Sequence, residues 1–229
     1  MAPGDRPWRA TLLLVAALTG LAFAGLAAVV AGQVPAVSRL DLAVHEAARA
    51  YSTAHPAWLA TMRAVTHIGD TVVILAVDTA VGIACLRLGR RRAATFIALA
   101  GSGTWLVSQA PRHLIQRGRP ADPLWSSSGY AFPSGHTTNT TATVLILAVL
   151  CWPLAGRAAR FAVVALAVAV PVAVGVSRIA GGVHWPTDVL GGLLLATTVV
   201  AVVAVWHPPW ARSAVPDRES AAIPDRDPT

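Results

Sequence analysis

The chain has 229 residues, of which 55% are hydrophobic and only 13% are charged, and its formal net charge is +7. Because soluble domains carry about 25% charged residues, this composition excludes an ordinary soluble domain and indicates an integral membrane protein. All 18 basic residues are arginine. Basic loops are the rule on the cytoplasmic side of membrane proteins, so the positive charge predicts a bilayer as the partner and no nucleic acid.

Six apolar stretches define the predicted architecture. A helix needs about 20 residues to cross the hydrocarbon core, so these stretches predict an all-α, polytopic bundle of six transmembrane helices over residues 1–206. The first stretch is longer than the about 7–15 apolar residues of a signal peptide and is expected to stay in the membrane. Residues 207–229 are poor in apolar side chains and predict a disordered cytoplasmic tail. The predicted spans are roughly 10–32, 70–88, 93–113, 136–154, 160–177 and 187–206.

The distribution of arginine predicts the orientation of these spans. Eleven arginines fall on one side of the predicted bundle, and seven fall on the other side, where they are spread over longer loops. Because cytoplasmic loops are richer in arginine, both termini are predicted to be cytoplasmic. The loop after the third span and the turn after the fifth then face the extracytoplasmic side of the cell membrane.

Residues 36–66, between the first two spans, are predicted to form a short helix that lies in the outer membrane interface. Ser38 and Asp41 have the spacing of a capping box, which would start this helix. The charged side chains, Asp41 among them, lie away from the apolar face. That face consists of Leu40, Val44, Ala47 and Tyr51.

Asp78 is an acidic residue at the middle of the second predicted span. A carboxyl group at that depth costs about 2.5–3.5 kcal/mol on insertion scales. We therefore expect it to face the bundle and to find a hydrogen-bond partner. Ser102 and Thr104 of the third span lie at a similar depth and are the predicted partners.

Polar residues that membrane insertion does not explain form three groups on the predicted outer side. The first consists of Arg112 and Arg119, followed by Pro120, at the end of the third span. Residues seven apart share a helix face, so the two guanidinium groups converge if the helix persists to Arg119. Such a pair suits bidentate recognition of a phosphate. Taken alone, the pair is better explained by anchoring among lipid headgroups.

The second group is Pro133-Ser134-Gly135-His136, directly before the fourth span. Ser134 is placed as an N-cap, and Gly135 lets an anion approach the free N–H groups of the helix start. His136 stands beside them as a candidate proton donor. A routine helix cap next to an interfacial histidine is the alternative interpretation.

The third group lies in the turn between the fifth and sixth spans, which reads SRIAGGVHWPTD and contains Arg178, His184 and Asp188. Side chains on a helix lean toward its N-terminus, so Asp188 points back toward His184 and can hold one ring nitrogen. The other nitrogen is then unprotonated and nucleophilic. In the alternative interpretation, Asp188 only interacts with the helix dipole.

Three such groups at three loop–helix junctions predict one assembled site, and their motifs resemble those of the type 2 phosphatidic acid phosphatase superfamily. That family carries Lys-x6-Arg-Pro, Pro-Ser-Gly-His and Ser-Arg-x5-His-x3-Asp in this order. The first motif departs from the family, because Arg112 stands at the lysine position. A planar guanidinium is not equivalent to a compact ammonium, so phosphate geometry or substrate range is expected to differ. The matching stretches are Arg112-x6-Arg119-Pro120, Pro133-Ser134-Gly135-His136 and Ser177-Arg178-x5-His184-x3-Asp188.

The resemblance implies a metal-independent phosphatase that needs no cofactor and acts through a phosphohistidine. By position, it implies that His184 is the nucleophile, that Asp188 orients it, and that His136 protonates the leaving oxygen. A cage of positive charge then stabilises phosphoryl transfer without a metal. The residues implied to bind the phosphoryl oxygens are Arg112, Arg119, Ser134, Gly135 and Arg178.

The implied substrate is a lipid phosphate. The predicted outward site favours a polyprenyl (undecaprenyl) diphosphate, with phosphatidic acid or phosphatidylglycerophosphate as alternatives. Vanadium-dependent haloperoxidases share these motifs, but they are generally soluble, and six spans argue against one. A non-catalytic lipid-phosphate binder or transporter would need only the arginines, so the presence of His184, Asp188 and His136 argues against it.

Overall fold

The computed structural model describes the backbone of residues 6–210 and the side chains from Trp8 onward. This part of the chain is all-helical, as predicted, with short 3-10 turns at His67–Gly69 and Trp152–Leu154. Trp210, in the predicted tail, packs edge-on against Trp8 with 4.9 Å between ring centroids, and residues 211–229 of that tail lie outside the described residues. The helices are α1 (Arg6–Ala31), α2 (Pro35–Ala54), α3 (Pro56–Thr66), α4 (Thr71–Arg87), α5 (Arg91–Ile115), α6 (Gly135–Cys151), α7 (Arg157–Ala180) and α8 (Pro186–Trp206).

Helix α8 lies at the centre of the bundle and packs against α1, α5 and α6. Small residues on its buried side let the neighbouring helices approach closely, which is how helices associate in a membrane. The main apolar cluster forms where α5, α6 and α8 meet, around Phe96 and Ile146. This core fixes these three helices relative to one another. The small residues are Gly191, Gly192, Ala196, Ala201 and Ala204.

The outer surface of the bundle is apolar where that of a soluble protein would be polar. Leu14, Leu18 and Leu21 of α1 and Val164 and Leu166 of α7 are all exposed. Within the described residues, four helices are long enough and apolar enough to cross a membrane: α1, α6 with the turn that follows it, α7 and α8. The chain is therefore a multi-pass membrane protein.

The predicted number of six spans stays a prediction. Helices α3 and α4 together could form a fifth span, bent by 45° at Asp70. Helix α4 alone has only 17 residues. The 25 residues of α5 include many polar side chains between Arg91 and Arg112, so neither helix is a clear span by composition.

Two helices, α2 and α3, occupy the connection in which the sequence predicts one. Helix α2 begins at Pro35 and not at Ser38, and its N-cap residue, Val34, makes no side-chain cap, so the predicted capping box is wrong. Its polar face is the buried one: Leu40 is 61% exposed, whereas Asp41 is 1% exposed. Asp41 is buried because its carboxylate accepts hydrogen bonds from Arg117 and from the backbone N–H of Thr187. The interfacial position of α2 stays a prediction.

Asp78 is half-buried and accepts a hydrogen bond from Thr143 of α6 at 3.0 Å. The predicted hydrogen bond to a neighbouring helix is therefore present, but the predicted partners are wrong. Ser102 and Thr104 instead donate to backbone carbonyls of the preceding turn of their own helix. A hydroxyl on a helix commonly makes this local bond, which leaves it no free hydrogen for Asp78.

Candidate active site

A polar cavity of about 640 Å³ opens at one end of the bundle, beside the loop 116–134 that joins α5 to α6. Of the eight predicted site residues, six line this cavity, while Ser134 and Asp188 are buried next to them. The structure therefore brings the three motifs together. The six lining residues are Arg112, Arg119, Gly135, His136, Arg178 and His184.

His184 lies in the turn between α7 and α8 and is held by Asp188. Asp188 is the third residue of α8, and its side chain leans back over the helix start, as helix geometry predicts. Its Oδ2 atom lies 3.3 Å from Nδ1 of His184 and accepts the backbone N–H of Trp185 at 2.9 Å. The contact expected from the sequence is present, and the same carboxylate caps the helix.

Burial determines the protonation of His184. The side chain is 2% exposed, and this burial lowers the pKa of His184 to about 4, although the Asp188 carboxylate opposes the effect. Nε2 of the ring lies 3.0 Å from Nη1 of Arg119. A guanidinium can only donate, so Nε2 holds a lone pair and Nδ1 carries the hydrogen. A nucleophilic imidazole needs this tautomer.

A buried ion-pair network supports Asp188 from the side opposite His184. Arg117 donates from Nη1 to Oδ1 of Asp188 and from Nη2 to Oδ2 of Asp41, both at 2.6 Å. Asp41 also accepts the backbone N–H of Thr187 at 3.0 Å and its hydroxyl at 2.6 Å. Carboxylates are favourable at a helix N-terminus. The network ties α2 and the loop 116–134 to the start of α8.

Arg119 reaches the cavity from a loop and not from a helix. Helix α5 ends at Ile115, because Gln116 takes a left-handed conformation with a φ of 49°. The prediction that a continuing helix brings Arg112 and Arg119 onto one face is therefore wrong. Arg119 lines the same cavity because backbone carbonyls hold its guanidinium there. These carbonyls belong to Ser128 at 2.7 Å, Gly129 at 2.8 Å and Val183 at 2.7 Å.

Arg112 and Arg178 complete the cationic wall. Arg112 donates to the carbonyl of Pro133 at 3.3 Å, and a Cβ at Gly135 would lie only 3.0 Å from its Nη2 atom. Arg178 donates from Nη1 to the hydroxyl oxygen of Thr66 at 2.8 Å. The Nε atoms of both arginines are buried and have no partner within residues 6–210. Each guanidinium makes one hydrogen bond within the described residues, so other N–H groups of both remain available for an anion.

Ser134 is the N-cap residue of α6, as predicted, but its hydroxyl does not cap the helix. Its backbone is extended and α6 starts at Gly135, yet no N–H of the first turn bonds the Ser134 side chain. Its Oγ atom accepts the hydroxyl of Thr137 at 3.1 Å and is fully buried. Gly135 is therefore the residue of this pair that lines the cavity, and the Ser134 hydroxyl does not reach it.

His136 lies in the first turn of α6 and contacts an acid that the motifs do not include. Its Nε2 atom lies 3.1 Å from Oδ1 of Asp70. The other oxygen of Asp70, Oδ2, lies 2.7 Å from Nδ1 of His67. All three side chains line the cavity. His136 is therefore paired with a carboxylate, as His184 is.

Four residues beside the site were missed in the sequence because each contacts its partner across at least 66 positions of the chain. Contacts between distant elements leave no spacing pattern. Arg117 lies inside the first motif, and Asp70 precedes an apolar helix, so these two carried a weak signal. The four are Asp41, Thr66, Asp70 and Arg117.

Comparisons with known proteins agree with this geometry. A family model described as the PAP2 superfamily matches residues 9–212. A decaprenylphosphoryl-5-phosphoribose phosphatase of Mycobacterium tuberculosis (strain ATCC 25618 / H37Rv) is 32% identical over 173 residues, which cover 72% of this chain and 89% of the relative. Phosphatidylglycerophosphatase B of Bacillus subtilis (strain 168) is 29% identical over 151 residues, 64% of this chain and 74% of that relative.

A third relative is named putative undecaprenyl-diphosphatase YbjG, from Escherichia coli (strain K12), and is 35% identical over 104 residues, 43% of this chain and 48% of the relative. The crystal structure of a transmembrane PAP2-type phosphatidylglycerolphosphate phosphatase from Bacillus subtilis aligns with a TM-score of 0.77 at 27% identity. This alignment covers 86% of the present chain and 98% of that chain. Because the family model spans nearly the whole described chain and the three motifs meet at one cavity, this chain belongs to the PAP2 superfamily and is a membrane phosphatase.

Proposed function

We propose that this protein hydrolyses a lipid phosphate through a phosphohistidine formed on His184. The observation that carries the proposal is a buried His184 that is bonded to Asp188 and lines one cavity with Arg112, Arg119 and Arg178. Burial lowers the pKa of His184 to about 4. This arrangement supplies a nucleophile and preorganised donors for the phosphoryl oxygens. In the described part of the chain, no three His, Cys, Asp or Glu side chains are grouped as metal ligands would be. The proposal therefore assigns the stabilising charge to arginine.

In the first proposed step, Nε2 of His184 attacks phosphorus, and the bond between phosphorus and the leaving oxygen breaks. The leaving oxygen takes a proton from the imidazolium of His136. Asp188 stabilises the positive charge that forms on His184. Charge spread over the phosphoryl oxygens in the transition state is stabilised by fixed donors. These donors are Arg112, Arg119, Arg178 and the backbone N–H of Gly135.

In the second proposed step, a water molecule attacks the phosphohistidine. The water gives one proton to the neutral ring of His136, the bond between phosphorus and Nε2 of His184 breaks, and inorganic phosphate leaves. His184 is then neutral again and His136 is again protonated. Both residues are restored, as turnover requires.

An apolar groove beside the cavity supports a lipid as the substrate. The groove has a volume of about 710 Å³ and lies between α4, α5 and α6. It shares Thr71, Trp105 and Asn139 with the polar cavity. A headgroup bound in the cavity would therefore have its tail next to an apolar surface.

The cavity favours a phosphate ester on a polar headgroup. Besides the arginines, its wall contains the residues Ser126–Ser128, Asn139 and Asp70. Hydroxyl, amide and carboxylate groups suit the hydroxyls of a glycerol or a sugar, and Asp70 repels a leaving group that is itself a phosphate. Two of the relatives are named for a phosphoribose lipid and for phosphatidylglycerophosphate. We therefore rank the polyprenyl diphosphate favoured by the sequence second.

Polyprenyl diphosphate is the second candidate because Arg63 also lines the cavity. A fourth arginine can neutralise a second phosphate group. The relative named putative undecaprenyl-diphosphatase supports this candidate over 104 residues.

We also propose that the cavity is extracytoplasmic and that both termini are cytoplasmic. The support is the arginines at the opposite end of the bundle, where α4 and α6 end and α5 and α7 begin. Such loops are richest in arginine on the cytoplasmic side. These arginines are Arg87, Arg90, Arg91, Arg92, Arg157 and Arg160.

Phosphate release from a panel of lipids by the purified protein tests the proposed function. The panel contains phosphatidylglycerophosphate, a prenylphosphoryl-phosphoribose, phosphatidic acid and a polyprenyl diphosphate, and we expect the highest kcat/KM for one of the first two. With a radiolabelled phosphoryl group, the wild type should retain an acid-labile label, and His184→Ala should retain none. Full activity of His184→Ala would exclude the phosphohistidine. A preference for the diphosphate would reverse the order of the two candidates.

A further inference from the structure

The corner between α3 and α4 holds a carboxylate between two imidazoles. Oδ1 of Asp70 lies 3.1 Å from Nε2 of His136, and Oδ2 lies 2.7 Å from Nδ1 of His67. The exposed fraction of the side chains falls from 64% for His67 to 40% for Asp70 and 28% for His136. The three groups therefore run from the surface toward the wall of the cavity.

Asp70 is the N-cap residue of α4, but its carboxylate does not cap that helix. Its φ of −63° and ψ of 137° are those of an N-cap, yet no N–H in the first turn of α4 bonds its side chain. Aspartate at an N-cap normally accepts such an N–H, and this bond stabilises the helix. Both oxygens are bonded to histidines instead. The N-terminus of α4 therefore lacks the stabilising side-chain cap, and the carboxylate of Asp70 contacts two histidines of the cavity instead.

Close packing holds this corner against the site. A Cβ at Gly69 would lie 2.9 Å from Cγ1 of Val174 and 3.1 Å from Cβ of His136, so glycine is needed for the chain to approach α6 and α7 this closely. Thr66, just before the corner, accepts an N–H of Arg178 at 2.8 Å. The corner therefore contacts both the proposed general acid and a phosphate-binding arginine.

The charges around His136 explain why it needs an acidic partner. Arg112, Arg119 and Arg178 line the same cavity and disfavour a further positive charge on the ring. A general acid must nevertheless carry its proton when the leaving oxygen departs. Within residues 6–210, the acid that contacts His136 is Asp70.

We propose that Asp70 is a positioning residue that keeps His136 oriented and protonated as the general acid, and that His67 holds the second carboxylate oxygen of Asp70 in place. This inference rests on the proposed function. The imidazolium has two N–H groups, of which one is bonded to Asp70 and the other protonates the leaving oxygen. The neutral ring keeps its bond to Asp70. The water that attacks the phosphohistidine then returns the proton to His136.

Two substrates with different leaving groups separate this role from a structural one. Phosphatidic acid releases an alkoxide, which must be protonated, whereas p-nitrophenyl phosphate releases a stable phenolate, which needs no proton. Asp70→Asn removes the charge and keeps a good N-cap residue. In the purified full-length protein, we expect kcat/KM for phosphatidic acid to fall about 10- to 100-fold, a share of what a general acid contributes. For p-nitrophenyl phosphate, we expect a loss of less than about threefold.

The matched control is Asp122→Asn. Asp122 is exposed and has a φ of 52°, which asparagine also adopts, so we expect no change with either substrate. In kcat/KM, His136→Ala should show the same selectivity between the two substrates as Asp70→Asn, with a larger loss for phosphatidic acid because the acid itself is removed. The double variant should show no further loss, because Asp70 acts only through His136. His67→Ala should lower kcat and leave KM unchanged, with His55→Ala as its control.

Several outcomes would overturn the inference. Equal losses on the two substrates would mean that Asp70 has only a structural role, and unchanged activity would mean that it has none. Additive losses in the double variant would mean that Asp70 acts independently of His136. Asp70→Ser, which also retains a good N-cap residue, guards against a folding defect specific to asparagine. A wild type that hydrolyses neither substrate would instead overturn the proposed function, and this inference with it.

Discussion

The two histidines of the site lie in opposite surroundings. His184 and Asp188 are 2% and 0% exposed, whereas His136 and Asp70 are 28% and 40% exposed. The carboxylate beside His184 is bonded to Arg117, whose side chain is 16% exposed. The carboxylate beside His136 is bonded to a second, exposed imidazole. One half of the site is enclosed by protein, and the other is open to solvent.

This difference matches what each proposed role requires. A nucleophile must be neutral and fixed, and burial lowers the pKa of His184 to about 4 while a network of ion pairs holds Asp188. A general acid must regain its proton in every turnover, and in the proposed mechanism the attacking water returns it, so His136 must be accessible to water. Different surroundings thus suit the same residue type to the two proposed roles.

Replacing each histidine with alanine should impair a different part of the reaction, and these are the largest expected effects. We expect His184→Ala to release no phosphate and His136→Ala to lose about 10²- to 10⁴-fold in kcat, the contribution of a general acid. In a reaction with radiolabelled phosphatidic acid that is quenched with alkaline detergent, which preserves a phosphohistidine, His136→Ala should still form the labelled protein slowly. His184→Ala should form none. Equal labelling of the two variants would contradict the assignment of roles.

Arg117→Met should change only the part of the pH dependence of kcat/KM that arises from His184, the proposed nucleophile. His184 attacks only when unprotonated, so wild-type kcat/KM should hold down to about pH 5 and fall below it, since the pKa of His184 is about 4. Without Arg117, no cation offsets the negative charge of Asp188, so this charge raises the pKa of His184. The fall of kcat/KM at low pH, which is the acid limb of the profile, then begins at a higher pH. The ratio of variant to wild-type kcat/KM should be about tenfold lower at pH 5 than at pH 8.

Arg117→Lys is the control for this pH profile, because it keeps the positive charge between the two carboxylates. Its acid limb should stay at the wild-type pH, even if kcat falls because the forked geometry is lost. An unchanged limb in Arg117→Met would mean that Arg117 only stabilises the fold.

Asp41→Asn should have a smaller effect, mainly on stability. Asparagine can still accept the N–H of Thr187, but it leaves a buried bond to Arg117 without a charged partner. We expect a loss of about 1–3 kcal/mol in the free energy of unfolding, seen as a lower Tm in detergent, and an unchanged acid limb. The control is Glu46→Gln on the same helix, which should leave the Tm unchanged because Glu46 is exposed. A shifted acid limb in Asp41→Asn would mean that Asp41 acts on His184 directly.

Chelation should have the smallest effect of all. Arginine, not a metal, carries the stabilising charge in the proposed mechanism, so EDTA should change kcat by less than about twofold. Phosphate release measured with and without added Mg²⁺ checks this. An absolute requirement for Mg²⁺ would contradict the arginine cage in both halves of the site.

Local spacing made part of the site predictable. Asp188 follows His184 by four positions at a helix start, and this spacing alone predicts the contact that the structure contains at 3.3 Å. The same reasoning failed for Arg119, because Gln116 leaves the helical conformation before the second arginine is reached. A helix end is decided by one residue's backbone and is poorly marked in the sequence.

The sequence by itself determined the membrane class, the all-α architecture and the three motifs, because these depend on composition and on spacing within single elements. Only the tertiary structure decided which side chains each carboxylate of the site contacts. Asp41 turns inward because α2 exposes its apolar face, and Asp70 turns from its own helix to His136 because Gly69 lets the corner pack closely. Such contacts join elements that are distant in the chain, and packing between those elements, which no local pattern encodes, brings them together.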